Sequence, residues 1–189
     1  MSRNIEIEFK NIVTEAEFQL LLKAFHISKE MFFSQTNHYF DTKDFALKKL
    51  NAALRIRSLP EKYEITLKKP LEDGLLEIND YITEAEAKAF INDALLPNGE
   101  VKDEIQKMNI PIDKFILFGT LRTDRSEVEY EKGLLVFDHS FYLGKEDFEI
   151  EYETQNREKG EKIFYHLLKK FNIEIRNADN KISRLYHAL

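Results

Sequence analysis

The sequence predicts an α+β fold, and three observations carry that prediction. Apolar and charged residues alternate with a period of two in stretches along the whole chain, helix-opening motifs stand between several of those stretches, and 43% hydrophobic content over 189 residues suffices for a sizeable core without disulfides. The alternation is clearest at Ile5, Glu6, Ile7, Glu8, Phe9 and Lys10, where a strand would have one apolar face and one Glu-x-Glu-x-Lys face. Side chains on that second face stand about 7 Å apart, and two acids beside one base suit a metal held next to an anion. A half-buried antiparallel strand with one wet face shows the same pattern, so the motif needs company.

Taken in order, strands are predicted at residues 3–12, 35–41, 52–58, 62–69, 75–82, 115–123, 125–132, 134–139 and 148–154, each an alternating or β-branched run bounded by turn residues. Thr14 with Glu17 and Thr83 with Glu86 have capping-box spacing, and each opens a helix. A third helix follows Gly99 and ends before Pro111. A fourth runs from Asn156 to Phe171 with Ile163, Phe164, Leu167 and Leu168 as its core stripe, and a last one covers Asp179 to Leu189. Asp179 is the expected N-cap of that last helix, and Ile182, Leu185, Tyr186 and Leu189 are its docking stripe. Residues 95–113, with Pro97, Asn98, Gly99 and Pro111, read as an insertion within one domain spanning 1–189. No internal repeat, low-complexity stretch or linker interrupts it.

Several function classes are excluded or disfavoured. Zero cysteines remove a disulfide framework, a thiolate metal site and a cysteine nucleophile, and they fit a reducing compartment. With no hydrophobic run of membrane-spanning length and a polar start, a cytoplasmic protein without a membrane partner is expected. A net charge of -6 argues against nucleic acid as partner, although bases gathered at one place can still focus a positive potential on a small polyanion. The few glycines, Gly74, Gly99, Gly119, Gly133, Gly144 and Gly160, form neither a dinucleotide fingerprint nor a Walker loop. Phosphate binding would therefore fall to side chains, for which arginine's planar fork is well suited.

The company that the first motif needs is found downstream. Leu54, Arg55, Ile56 and Arg57 put two arginines on one strand face, and Glu64, Thr66 and Lys68 put an acid, a hydroxyl and a base on another. Leu134, Val136 and Asp138 end a strand on an acid, and Glu149, Glu151 and Glu153 share a face. In order and spacing these residues resemble the CYTH family, also called triphosphate tunnel metalloenzymes. Its Glu-x-Glu-x-Lys signature is matched by Glu6, Glu8 and Lys10, its paired arginines by Arg55 and Arg57, and its following basic strand by Lys68. Its late acidic strand is matched by Glu149 and Glu151, and its C-terminal lysine by Lys181. The family usually places a base two residues before an arginine, where this chain has Thr123 before Arg125; Arg122 falls on the opposite face of a regular strand.

What the resemblance implies is a closed eight-stranded antiparallel β-barrel with a polar interior, its apolar strand faces turned outward under helices; with nine candidate strands for eight places, one is a short extension or part of a bent pair. It further implies Glu6, Glu8, Asp138, Glu149 and Glu151 as metal ligands, with Glu153 a further candidate. Lys10, Arg55, Arg57, Lys68, Arg125 and Lys181 become phosphate-binding groups, with Lys10, Arg57 and Glu8 the catalytic set. Carboxylates without cysteine or ligating histidine suit Mg2+ or Mn2+. Five of them in one place would repel and partly protonate unless cations offset them. Asp138 and the adjacent His139 face opposite ways on a strand, and His26, His38, His166 and His187 lack metal-ligand spacing, so packing or surface roles are read for all five. Glu77 reads either as inward-facing or as surface. The activity implied is metal-dependent hydrolysis of a small-molecule triphosphate. Cyclisation of ATP is the alternative within the family, although no purine pocket is evident among Tyr39, Phe40 and Tyr63; a non-catalytic polyphosphate or nucleotide sensor is the alternative outside catalysis.

Overall fold

A computed structural model describes residues 2–72 and 74–188 of the chain. Its strands are β1 (Ser2–Val13), β2 (Phe33–Thr42), β3 (Ala53–Ser58), β4 (Tyr63–Leu71), β5 (Gly74–Ile82), β6 (Phe115–Tyr130), β7 (Gly133–Tyr142) and β8 (Lys145–Thr154), and they close in the order β1-β5-β4-β3-β2-β6-β7-β8. Among the described residues six α-helices accompany this antiparallel barrel: α1 (Glu15–Ala24), α2 (Ala46–Lys49), α3 (Glu84–Asp93), α4 (Glu100–Lys107), α5 (Arg157–Lys170) and α6 (Lys181–Ala188). None of them is long and apolar enough to cross a membrane. Two compact units are distinguished, one built mainly from Gln35–Leu121 and the other from Glu6–Ser34 with Arg122–Leu189.

In the first unit, the ladder aligns Phe40, Leu54, Leu67 and Ile78 across β2 to β5, and Ile56 with Ile65 beside them. Because partners across an antiparallel ladder point to one face, these side chains form a single apolar surface. Ala87 and Phe90 of α3 and Val101 and Ile105 of α4 complete its core. The Phe40 and Phe90 rings stack at 4.2 Å. The capping box expected at Thr83 and Glu86 starts α3. Asp80 ties α4 to β5 by accepting from Val101 N at 2.9 Å, and a Cβ at Gly99 would stand 2.3 Å from that carboxylate, so only glycine lets the chain pass. The opposite face aligns Tyr39, Arg55, Thr66 and Asn79, then Asn37, Arg57, Glu64 and Tyr81.

The second unit follows the same logic. Phe9, Tyr152, Leu135 and Val128 align, as do Ile150 and Phe137, and the core is completed by Phe18 and Leu21 of α1 with Phe164, Leu167 and Leu168 of α5. The other face aligns Lys10, Glu151, Val136 and Glu127, and next to them Ile12, Glu149, Asp138 and Arg125. In both units the helices of the core lie on the apolar face, which leaves the charged face turned away from them.

Where structure and expectation differ, the reasons are local. The strands predicted at 115–123 and 125–132 are one strand, β6, because the ladder to β7 runs unbroken from Arg122 with Phe141 to Tyr130 with Gly133; eight strands result. The unpredicted α2 is nucleated by Asp41, whose carboxylate accepts from Leu47 N at 2.9 Å and Lys48 N at 3.0 Å. Asp179 is not the cap of the last helix: Asn180 Oδ1 accepts from Ser183 N at 2.9 Å, and α6 starts at Lys181. Its stripe holds buried Ile182 and Leu185, while Leu189 lies outside the described residues. Truncating Phe90 to Ala removes the ring stacked on Phe40 and is expected to destabilise the fold by about 3–5 kcal/mol, read as a lowered urea midpoint with unchanged slope.

Candidate active site

The charged face of the second unit is acid-rich and deeply buried. Asp138, with 0% exposure, accepts from Arg125 Nε at 2.7 Å and Nη2 at 2.6 Å, a two-pronged contact between adjacent strands. The same Nη2 reaches Glu151 at 2.9 Å. Arg125 thus lies on the charged face of β6, whereas Arg122 lies on the other, over the Phe141 ring and beside Asp124. Thr123, where the family pattern has a base, shares a hydrogen bond with Ser140 at 3.2 Å. From β1, Lys10 is paired with Glu8. Burial works against the Lys10 charge, but Glu8, Glu151 and Glu149 outweigh it and hold its pKa above the usual value.

Helix α6 brings two more cations to this face. Lys181 Nζ sits among Asp138 Oδ2 at 2.7 Å, Glu149 Oε1 at 2.5 Å and Glu151 Oε1 at 2.7 Å. Arg184, one helical turn on, pairs with Glu149 and lies 3.1 Å from Asp147. Sequence reasoning missed Arg184 and Asp147. The i,i+3 spacing from Lys181 was the available signal for the arginine, and the period-two spacing from Glu149 for the acid. Burial raises Glu149, to about 7, with the Glu151 charge adding to it against Lys181 and Arg184. Glu151 is as deeply buried, yet Lys181 and Arg125 hold it well below the carboxylate range. Glu153 is pushed up to about 7 by burial, with Glu6, Glu151 and Glu8 contributing against Arg125.

Oxygens of Asp138, Glu149 and Glu151 lie within 4.8 Å of one another, all three side chains buried. Such an all-oxygen set fits a hard divalent cation, and its three acids converge on a single ammonium, that of Lys181, as they would on a metal. Glu6 lies on β1 two residues before Glu8, on the same face. His139 points away from this set and pairs with Glu146 while stacking on Phe148 at 4.2 Å.

The charged face of the first unit is richer in bases. Arg55 and Arg57 project from β3 on the same face as Lys68 of β4 and Glu77 of β5. Arg57 Nε donates to Asn37 Oδ1 at 3.0 Å. Lys68 is 2.8 Å from Glu77, which also accepts from Asn79 Nδ2 at 3.0 Å; Thr66 in turn donates to Asn79 Oδ1 at 2.7 Å. Glu77 therefore faces the bases. Its burial alone would raise its pKa, but Lys68 and Arg55 prevail and lower it to about 2.

Fold and side chains together define an antiparallel barrel whose charged strand faces hold buried, mutually paired acids and bases. The CYTH domain profile matches residues 4–186, and the chain belongs to the CYTH domain family. It is 47% identical over 186 residues to a Bacillus subtilis protein named as a candidate triphosphatase, YjbK, covering 98% of this chain and 96% of that one. A crystal structure from Bacillus halodurans, described as a candidate adenylate cyclase, is 44% identical with a TM-score of 0.95, covering 98% of this chain and all of the other. Hippeastrum HpAC1, described as a candidate adenylyl cyclase with a dominant triphosphatase activity, shares 24% identity at a TM-score of 0.78 over 97% of this chain and 96% of that one. At that identity the likeness speaks for the fold alone.

A pH test follows from Glu77. Its folded pKa of about 2 lies below the unfolded value of 4.5, so its contribution is complete above pH 4.5 and is lost as pH falls toward 2. The stability advantage of the wild type over Glu77→Gln should therefore shrink between pH 5 and pH 3, measured by paired urea titrations. An advantage independent of pH would remove the Lys68 pairing as its cause.

Proposed function

We propose that residues 1–189 act as one triphosphate tunnel domain, a cytoplasmic enzyme that hydrolyses a small-molecule triphosphate, inorganic or organic, with Mg2+ or Mn2+. The observation that carries this reading is the convergence of Asp138, Glu149 and Glu151 on a single cationic centre, and the 47% identity to a relative named as a triphosphatase supports it. Glu6, Glu8, Asp138, Glu149 and Glu151 are the residues that would hold the metal. Its chemistry there is to neutralise phosphate oxygens and to acidify a bound water. Neither nucleic acid nor membrane is needed as a partner.

The side chains do the rest. Arg55, Arg57 and Lys68 bind the phosphate chain, and Arg57 and Lys10 offset the charge that spreads over the transferred group. Glu8 orients the Lys10 ammonium through their ion pair. Arg125 is fixed by Asp138 and Glu151, and its Nη1, 3.7 Å from Glu127, is the group left to turn to phosphate. Lys181, released from its three carboxylates, turns to the substrate and makes α6 a lid. No covalent enzyme intermediate is required.

A second reading is favoured by one observation, the 44% identity to a protein described as a candidate adenylate cyclase. There the ribose 3'-hydroxyl of ATP attacks the α-phosphate and pyrophosphate leaves. Incubation with inorganic triphosphate, thiamine triphosphate and ATP, each with Mg2+ or Mn2+, separates the readings. Orthophosphate release is expected; cyclic AMP with pyrophosphate would replace hydrolysis by cyclisation, and saturable binding without turnover would make the protein a sensor.

Three substitutions test the assignments. Glu8→Gln and Glu151→Gln keep side-chain size but remove a ligand charge, and each should cut turnover by at least about 10- to 100-fold with circular dichroism unchanged. Activity within a few-fold of wild type would sink the metal assignment. Arg57→Ala should raise KM for triphosphate by about 10- to 150-fold, the equivalent of one charged hydrogen-bonding contact, while Arg122→Ala, on the opposite face, leaves it unchanged. Lys181→Ala should cost activity and also lower thermal stability, since it strips a buried cation from Asp138, Glu149 and Glu151; full activity would take Lys181 out of the site.

A further inference from the structure

The charged face of the first unit also holds two neutral amides. Gln35 and Asn37 stand two residues apart on β2, 2% and 0% exposed, and both point to the face of Arg55 and Arg57. The orientation of Asn37 is chemically fixed. Arg57 Nε donates to Oδ1, and because a guanidinium offers no acceptor, the amide nitrogen must point elsewhere. Neither Asn37 Nδ2 nor Gln35 Nε2 has a hydrogen-bond partner among the described residues.

A buried amide donor without an acceptor is rare and destabilising, and an apolar side chain of the same size in its place would be more stable. Here two such donors lie on one strand, and one of them sits in direct register with an arginine. Donors crowd this edge while the Asn37 acceptor is already committed to Arg57. A ligand that completes the set must bring acceptors only, on several oxygens, which is the chemistry of a phosphate chain.

We propose that Gln35 and Asn37 are substrate contacts whose amide N–H groups donate to non-bridging phosphate oxygens, and that Asn37 also sets the plane of Arg57 through its carbonyl. Neutral donors extend the grip on the anion without adding positive charge, and at fixed positions they discriminate against ligands that lack an oxygen there. This inference rests on the triphosphate reading above.

The test measures affinity for inorganic triphosphate by calorimetry, thermal stability of the free protein and phosphate release, for wild type, Gln35→Met and Asn37→Asp. Gln35→Met replaces an unsatisfied donor by an apolar chain of similar length. It is expected to raise Tm in the free protein while weakening triphosphate binding about tenfold, the cost of one hydrogen bond to a charged acceptor. Asn37→Asp swaps the donor for an anion beside Arg57 and should weaken binding by at least about 100-fold, again as a hydrogen-bonded charge contact is lost. Unchanged affinity in both variants, or an affinity loss confined to variants that melt lower, overturns the proposal and assigns the amides to a buried water instead. Should the wild type bind triphosphate and release no phosphate, the hydrolase reading falls while the variant comparison still decides this one. No binding by the wild type overturns both.

Discussion

A carboxylate removed from water must be paired, and much of the second unit's charged face follows from that one constraint at Asp138. Its two contacts from Arg125 lock β6 to β7 at the point where Glu149 and Glu151 arrive from β8. Each added acid then calls for a further cation, and these come from β1 as Lys10 and from α6 as Lys181 and Arg184. The apolar stripe of α6 and its buried charges are thus two halves of one docking arrangement: Ile182 and Leu185 seat the helix, and its cations give the seat its register.

Stability alone does not account for such a face. Well-packed apolar residues of similar volume commonly equal or exceed a buried ion network in stability, and the chain shows on the reverse of the same strands, at Leu135, Phe137, Ile150 and Tyr152, that it can supply them. Buried charges kept at this density, with Glu149 and Glu153 raised to about 7 and Glu151 held far below, are characteristic of a functional site. The first unit repeats the division with the opposite bias: Leu54, Ile56, Ile65 and Leu67 face the helices, and Arg55, Arg57 and Lys68 the other way.

Much of this was legible in the sequence because a strand's period of two is rigid. Once Ile5, Ile7 and Phe9 are assigned to the apolar face, Glu6, Glu8 and Lys10 have nowhere else to go, and the same holds for Arg55 and Arg57, for Glu149 and Glu151, and for the choice of Arg125 over Arg122. What escaped did so for identifiable reasons. The unbroken course of β6 depends on its ladder with β7, which is set by tertiary pairing rather than by the composition around Asp124. Asn180 displaced Asp179 as the cap because the two are equally good caps and helix ends drift by a residue. Asn37 and Gln35 are neutral and common in strands with a wet face, so only their burial beside Arg57 marks them.

Lys181 connects the two halves of the proposed chemistry. Its ammonium is held by three carboxylates at 2.5 to 2.7 Å, which it shares with Arg125 at Asp138 and Glu151 and with Arg184 at Glu149, and burial still raises Glu149 to about 7. A divalent cation would be drawn to such a set of acids more strongly than a monovalent one, since attraction at such distances scales with the charges involved. The lysine thus helps to keep the acids paired, and on the reading proposed above it would yield its place to a more highly charged group. Because its eight-residue helix is seated by Ile182 and Leu185 and by the ion pairs of Lys181 and Arg184 together, a change of partner there would require the incoming group to offset the pairs that are lost.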